Sequence, residues 1–348
     1  MVMRRFGFVF ISVAVLMTAC SPARKSEFAL AWDTYAARFY DQGRIVDTGN
    51  NNVSHSEGQG YGMLFAVAAD DKARFDELWQ WTATTLQRAD KLFSWRYTPC
   101  PQQDRTCVDD PNNASDGDIL IAWALIKAAD KWQEPVYRKS AMAILEAVRA
   151  TMVVAKHPYV LLLPGENGFV YPNGDVQVNL SYWVFPALNA AADATGDETW
   201  DDLAVSGISL IQQSNNQWSL TPDWLRVTDD GISLEGVVNP EFGFNACRIP
   251  LQLGWQNIDK QVAKPFLDYW ADTAAPATKN LLTGAVAEYP LTPGMKAASA
   301  ATAQLYGEPV KGDNAAGVFT LNGELDYYSA SLIMLSRLAI QEGNRHGR

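Results

Sequence analysis

Residues 114–132 read ASDGDILIAWALIKAADKW. From Ile119 the apolar residues fall at Ala122, Trp123, Ile126 and Ala129, that is at i, i+3, i+4, i+7 and i+10, which predicts an amphipathic helix over Asp118–Trp132. Two carboxylates, Asp116 and Asp118, stand about Gly117 at its start. One reading makes them part of a helix cap, Ser115-x-x-Asp118, with acids favoured near a helix N-terminus. The other makes them the lining of a pocket. The calcium-loop pattern D-x-[DN]-x-[DN]-G is not met.

The same helical spacing recurs over Gly60–Asp70, Ala73–Leu86, Tyr137–Met152, Trp200–Ser214 and Tyr327–Ile340. Strand signals are sparse. The best is Trp224 to Val237, where Asp229-Asp230-Gly231 predicts a hairpin turn. Neither a low-complexity linker nor a fixed-period repeat breaks the chain. The expectation is one all-α domain over residues 27–340 with a small β-hairpin excursion. Periodicity alone leaves a bundle, a solenoid and a helical barrel open.

The 348 residues carry 28 Lys+Arg against 39 Asp+Glu, a formal charge of −11, which argues against nucleic acid or other phosphate-rich partners. A neutral or cationic ligand fits better. Residues 1–20 read as a signal peptide: Arg4 and Arg5, an apolar run Phe6 to Met17, then small residues. Met17-Thr18-Ala19-Cys20 also resembles a bacterial lipobox, with Cys20 as the lipidated residue. Loss of residues 1–19 leaves 26 − 39 = −13. An exported chain, periplasmic or secreted, lives where disulfides persist, so Cys100 and Cys107 are expected to pair; a zinc site lacks further ligands nearby. Cys247 is expected as a buried thiol.

A second stretch, His55 to Met63, reads HSEGQGYGM. Ser56-x-x-Gln59 has the form of a capping box. That leaves the glycines unexplained, since each costs up to about 1 kcal/mol against alanine in a helix. Either backbone or a ligand must approach closely there. A carboxylate so crowded would have its pKa raised by desolvation, as suits a general acid at Glu57. Paired carboxylates on opposite sides of a sugar are what glycoside hydrolysis requires. The 12 Trp, 13 Tyr and 14 Phe supply the core, and those at loop ends could stack on sugar rings.

Taken together, ASDGDILIAWALIKAADKW, SEGQGYGM, LFSWRY at 92–97, NLSYWVFP at 179–186, PDWL at 222–225 and DYYSA at 326–330 resemble family 8 of the glycoside hydrolases, from roughly Ala29 to Ala339. Within it, DTGN at 47–50 followed by HSEGQGYGMLFA is most similar to endoglucanases encoded beside bacterial cellulose synthases. The resemblance implies an (α/α)6 barrel of six inner and six outer helices, with a cleft across the inner-helix N-termini where a glucan chain would approach the glycines. It implies an inverting endo-β-1,4-glucanase acting as a monomer on cellulose-type glucan, in association with a cellulose synthase export complex and with no metal or organic cofactor. Residue by residue it makes Glu57 the proton donor, Asp116 the carboxylate at the cleavage subsite and Tyr182 the neighbour of the attacking water. Trp95, Arg248 and Asp118 become cleft-lining residues.

One position departs from the pattern. The base of the cellulose-linked members is an aspartate in a segment like Y-D-A-x-R; here Phe244-Asn245-Ala246-Cys247-Arg248 places an asparagine there. An amide has no useful basicity near neutral pH. Three carboxylates are candidates for a displaced base: Asp116, Glu241 and, more weakly, Glu235. The function classes are then an endoglucanase, a glucan-binding lipoprotein that has lost its base, and a family 8 chitosanase, xylanase or mixed-linkage glucanase.

Overall fold

The computed structural model describes residues 25–103, 105–272, 274–310 and 317–346. The expected leader and Cys20 lie outside them. Eleven α-helices form among the described residues: α1 Glu27–Phe39, α2 Ser56–Ala69, α3 Lys72–Thr85, α4 Ser115–Trp132, α5 Pro135–Met152, α6 Phe185–Thr195, α7 Thr199–Trp218, α8 Ile249–Trp255, α9 Lys260–Trp270, α10 Pro293–Leu305 and α11 Tyr327–His346.

Two kinds of helix separate by burial. In α5 and α9 only one stripe is apolar, Tyr137, Ala141, Ile144, Leu145 and Val148 in the first, so each lays one face on the core. In α2, α4 and α8 nearly every side chain is buried, including the polar ones of the first turn, as for helices enclosed on all sides. The enclosed helices neighbour one another in a ring: α2 on α4, α4 on α6, α6 on α8, α8 on α10, α10 on α11, and α11 back on α2. The helices α1, α3, α5, α7 and α9 pack outside it. This is the (α/α)6 barrel. The sixth outer position falls between α10 and α11, where the described residues form no helix.

The glycines of α2 serve the ring. A Cβ on Gly60 would sit 2.6 Å from Leu120 Cβ of α4, and one on Gly58 would strike the Tyr327 hydroxyl of α11. The close approach expected there is therefore made by protein, helix against helix, and not by a glucan chain. The capping readings also fail. The N-caps are His55 and Ala114, neither with a capping side chain, and the hydroxyls of Ser56 and Ser115 have no hydrogen-bond partner among the described residues. Gln59 instead reaches sideways, accepting from Ile45 N at 2.6 Å and donating to Thr82 Oγ1 at 2.7 Å.

Short strands decorate the barrel. The expected hairpin forms from Leu225–Thr228 and Gly231–Ser233 with Thr228 opposite Gly231, and Val176–Val178 extends it to three strands. Ser54–His55 pairs with Ser94–Tyr97, which pairs with Asp110–Asn113. The Cys100–Cys107 disulfide closes the loop joining the last two, with Cα atoms 5.4 Å apart. Cys247 is a free, buried thiol, as expected.

Candidate active site

The N-termini of α2 and α4 meet because Gly117 has no side chain: a Cβ there would collide with Ser56 Oγ and lie 2.9 Å from Glu57 N. That contact sets two first-turn acids beside each other, Glu57 and Asp116, and their carboxyls share a hydrogen bond. Glu57 also accepts from Tyr61 Oη at 3.0 Å and forms an ion pair with Arg248 Nη1. The other guanidinium nitrogen, Arg248 Nη2, donates to Ser181 Oγ and to Asn245 Oδ1, each at 3.0 Å. The Glu57 side chain keeps 24% of its surface, against 8% for Arg248, so the acid faces the cleft and the cation lies behind it.

Burial acts to raise both carboxyls, and the surroundings then part them. For Glu57, the Arg248 charge and hydrogen bonds from Asp116 and Tyr61 outweigh burial and bring it below the usual range. For Asp116, burial and then the negative charge of Glu57 push it well above that range. Like charges this close resist ionising together, and the two surroundings favour the protonated form at Asp116 over Glu57. The desolvation expected at Glu57 is real, but the raised pKa belongs to its neighbour.

Asp118, expected in the cleft, is fully buried away from it. Its two oxygens accept from Phe93 N at 2.8 Å and Asn113 Nδ2 at 2.7 Å, tying α4 to the adjoining strands. Burial raises it to about 7. Its place is structural, because a helical residue two positions after Asp116 points to a different side of α4.

Asn245 sits at the head of the turn leading to Arg248. A guanidinium only donates, so the contact with Arg248 fixes the amide oxygen inward and leaves the Asn245 NH2 as a donor on the other side. Behind this turn stands Asp223, which the sequence does not single out; PDWL carries only the family likeness. Asp223 Oδ1 accepts from the amides of Gly243 at 3.1 Å, Asn245 at 3.1 Å and Ala246 at 2.7 Å. Burial raises this carboxyl to about 6. Glu241, on the short strand entering the turn, is partly buried and electrostatically felt by Asp223. Glu235 is exposed just past the second hairpin strand, on the end nearer Trp224, where its backbone carbonyl accepts from Arg226 Nη1 at 3.3 Å, and it is the weaker candidate base.

Aromatic faces flank the acids. Trp95 stacks parallel to His55, the residue before α2, with ring centroids 5.9 Å apart, and its indole N–H donates to Asp110 Oδ2 at 2.7 Å. On the other side Tyr182 meets Trp224 edge-on, and Trp224 stacks parallel on Phe169 at 5.8 Å. Burial, and after it the negative charges of Asp116 and Glu57, push the Tyr182 phenol well above its ordinary range. Tyr61 and Ser181, which complete the first layer around Glu57 and Arg248, gave no signal in the sequence beyond their place in the quoted segments.

The sequence matches glycosyl hydrolases family 8 over residues 8–342. It is 40% identical to a probable endoglucanase of Novacetimonas hansenii over 90% of this chain and 91% of that one, and 36% identical to an endoglucanase of Cellulomonas uda over 89% and 85%. Among solved structures, the endo-β-1,4-glucanase of Acetobacter xylinum superposes with a TM-score of 0.82 at 40% identity, covering 91% of this chain and 98% of its own. With the six-membered inner ring and the acids at its mouth, these likenesses establish the assignment: the chain belongs to family 8 of the glycoside hydrolases.

Proposed function

We propose that this protein is an endo-β-1,4-glucanase that cleaves internal bonds of a cellulose-type chain with inversion. The observation that carries the reading is the carboxyl pair Glu57–Asp116, held against Arg248 between two aromatic walls. Apolar sugar faces suit Trp95, Trp224 and Tyr182. A glycosidic oxygen at Glu57 needs a proton as its bond to the anomeric carbon breaks. The proton held on Asp116 passes along their shared hydrogen bond to Glu57 and on to the leaving oxygen. Asp116, then ionised, stabilises the positive charge developing on the sugar.

Water enters from the opposite face, where Tyr182 and the Asn245 NH2 hold its oxygen. Asn245 cannot take the water's proton. Asp116 is disfavoured as acceptor, since it begins protonated on the donor's side. Glu241, partly buried on the strand entering the turn, is the displaced base of this reading, acting through an intervening water, and the exposed Glu235 is the weaker candidate. The enzyme is accordingly a slow hydrolase compared with one carrying aspartate at 245. Reducing-sugar release from carboxymethylcellulose tests the reading: wild type releases sugar, Glu57→Gln and Glu241→Gln do not, and both variants still bind cello-oligosaccharide. Release surviving Glu57→Gln would end the assignment of the acid. The asparagine itself favours a second reading, a glucan-binding protein without catalysis; wild type inert on every soluble glucan, and revived only by Asn245→Asp, would select it. Parallel assays on chitosan, xylan and mixed-linkage glucan test the choice of polymer.

The reading extends to location. In this proposal the chain is exported through the leader at residues 1–20 to the periplasm or the medium, either free or held by a lipid on Cys20, and acts on cellulose emerging from a synthase complex. The Cys100–Cys107 bridge supports an oxidising compartment. The mass of the mature N-terminus decides between an acylated Cys20 and an unmodified start, and an intact residue 1–19 segment on the purified native protein would contradict export.

A further inference from the structure

The turn at residues 243–248 carries Asn245, which faces the water side, and Arg248, whose guanidinium joins Asn245 to Glu57. Its conformation is therefore part of the chemistry. It contains a short 3-10 helix, Ala246–Arg248, whose preceding residue Asn245 supplies no capping side chain. The free amides at this helix start find their acceptor elsewhere in the sequence. Three of them, from Gly243, Asn245 and Ala246, converge on one oxygen, Asp223 Oδ1. The Asp223 backbone is itself held, its N–H donating to the Glu241 carbonyl at 2.6 Å. Asp223 is 4% exposed and forms no hydrogen bond with Lys or Arg among the described residues, so backbone amides are what compensate its burial directly. Gly243 is shaped to this contact, since a Cβ there would lie 3.0 Å from Asp223 Oδ2.

We propose that Asp223 is the positioning residue of the water side: by gathering the amides of Gly243, Asn245 and Ala246 it fixes where Asn245 and Arg248 point, and through Arg248 how Glu57 is held. It does not touch substrate. Its catalytic consequence rests on the hydrolase reading, while the clamp itself does not. A carboxylate binds such amides about twice as strongly as a neutral amide oxygen does. Asp223→Asn keeps the shape and one acceptor and removes the charge. A turn displaced by an ångström or less is enough to lower kcat by roughly 10- to 100-fold while KM stays within about threefold, because the aromatic walls that bind the glucan are untouched. A clamp serving stability alone would lower the melting temperature and leave kcat of the folded enzyme unchanged.

The experiment combines steady-state kinetics on cellopentaose with amide hydrogen exchange by mass spectrometry on the full chain, for wild type, Asp223→Asn and Gly243→Ala. The second variant pushes the same two groups apart from the turn's side and covers the case in which the first folds poorly. The expected result is a fall in kcat with KM retained, and faster exchange in the 243–248 peptide with α2 and α4 protected as in wild type. Wild-type kcat in both variants, or unchanged exchange over 243–248, would overturn the proposal. If wild type itself releases no sugar, the hydrolase reading fails separately, and the exchange result alone judges Asp223.

Discussion

Replacing Asn245 with aspartate tests the water side most directly. Asn245 Oδ1 lies 3.0 Å from Arg248 Nη2, and the same guanidinium is paired with Glu57 through Nη1. Asn245→Asp therefore does two things. It replaces an NH2 donor by a carboxylate oxygen that can take the water's proton, a general-base contribution of about 10²- to 10⁴-fold. It also adds a negative charge on the far side of Arg248, so that the cation no longer answers to Glu57 alone. Across roughly 6 Å at an effective dielectric of about 20, two like charges repel by about 3 kcal/mol, which raises the Glu57 pKa by about 2 units. The sign follows: the acid stays protonated to higher pH, so the descending limb of the pH–rate profile moves up. The new base must be ionised to act, so Asp at 245 takes over from Glu241 in setting the ascending limb on the acid side. The assay is kcat/KM on cellopentaose across pH 4 to 9 for wild type, Asn245→Asp, and Asn245→Asp combined with Glu57→Gln. The single variant should gain about 100-fold or more and the double should be inert. If Asn245→Asp changes neither rate nor profile, residue 245 does not face the water and the account of this turn is wrong.

Three further outcomes concern the frame. Gly60→Ala puts a Cβ 2.6 Å from Leu120 Cβ between the two helices that carry the acids, and should cost about 1–3 kcal/mol in a urea melt; a neutral change would mean that the ring gives way there easily. Removing the Cys100–Cys107 bridge releases a loop of sequence separation 7 and should cost about 2.5 kcal/mol by the chain-entropy relation, read from the same melt under non-reducing conditions. Asp118 is raised to about 7 from an ordinary 3.8, so the native state binds more protons than the unfolded chain between those values and stability contributed by this group falls as pH rises through that window. Wild type should lose a few kcal/mol relative to Asp118→Asn between pH 4 and pH 8, and parallel stability curves for the two would refute the shift.

What the sequence disclosed followed from how each element is buried. The stripe in α5 and the run in α4 were readable because their large apolar residues recur at helical spacing. The pattern Phe28, Trp32, Tyr35 and Phe39 in α1 was equally regular and was passed over. The helices α8 and α10 were hard to see for a physical reason: one is seven residues buried on every side, and the buried face of the other is mostly alanine and glycine, too small to mark an apolar stripe. The acids divide in the same way. Asp116 and Asp118 look alike in the sequence, a carboxylate on each side of Gly117, yet one step around α4 separates a proton-sharing partner of Glu57 from an anchor for Phe93 and Asn113. No local pattern distinguishes them, because the difference lies in which neighbour each meets across the ring. Asp223 was illegible for the converse reason. Its three amide donors lie 20 to 23 residues further along the chain, so nothing near PDWL announces the clamp. The asparagine at 245 was visible from the start as a departure, and the fold adds what the departure does. With no negative charge at 245, Arg248 is left to Glu57, and the acid that should hold the proton is the one made least able to keep it. The same exchange that removes a base on the water side thus weakens the acid on the leaving-group side, which is why one substitution at 245 is expected to move both limbs of the pH profile.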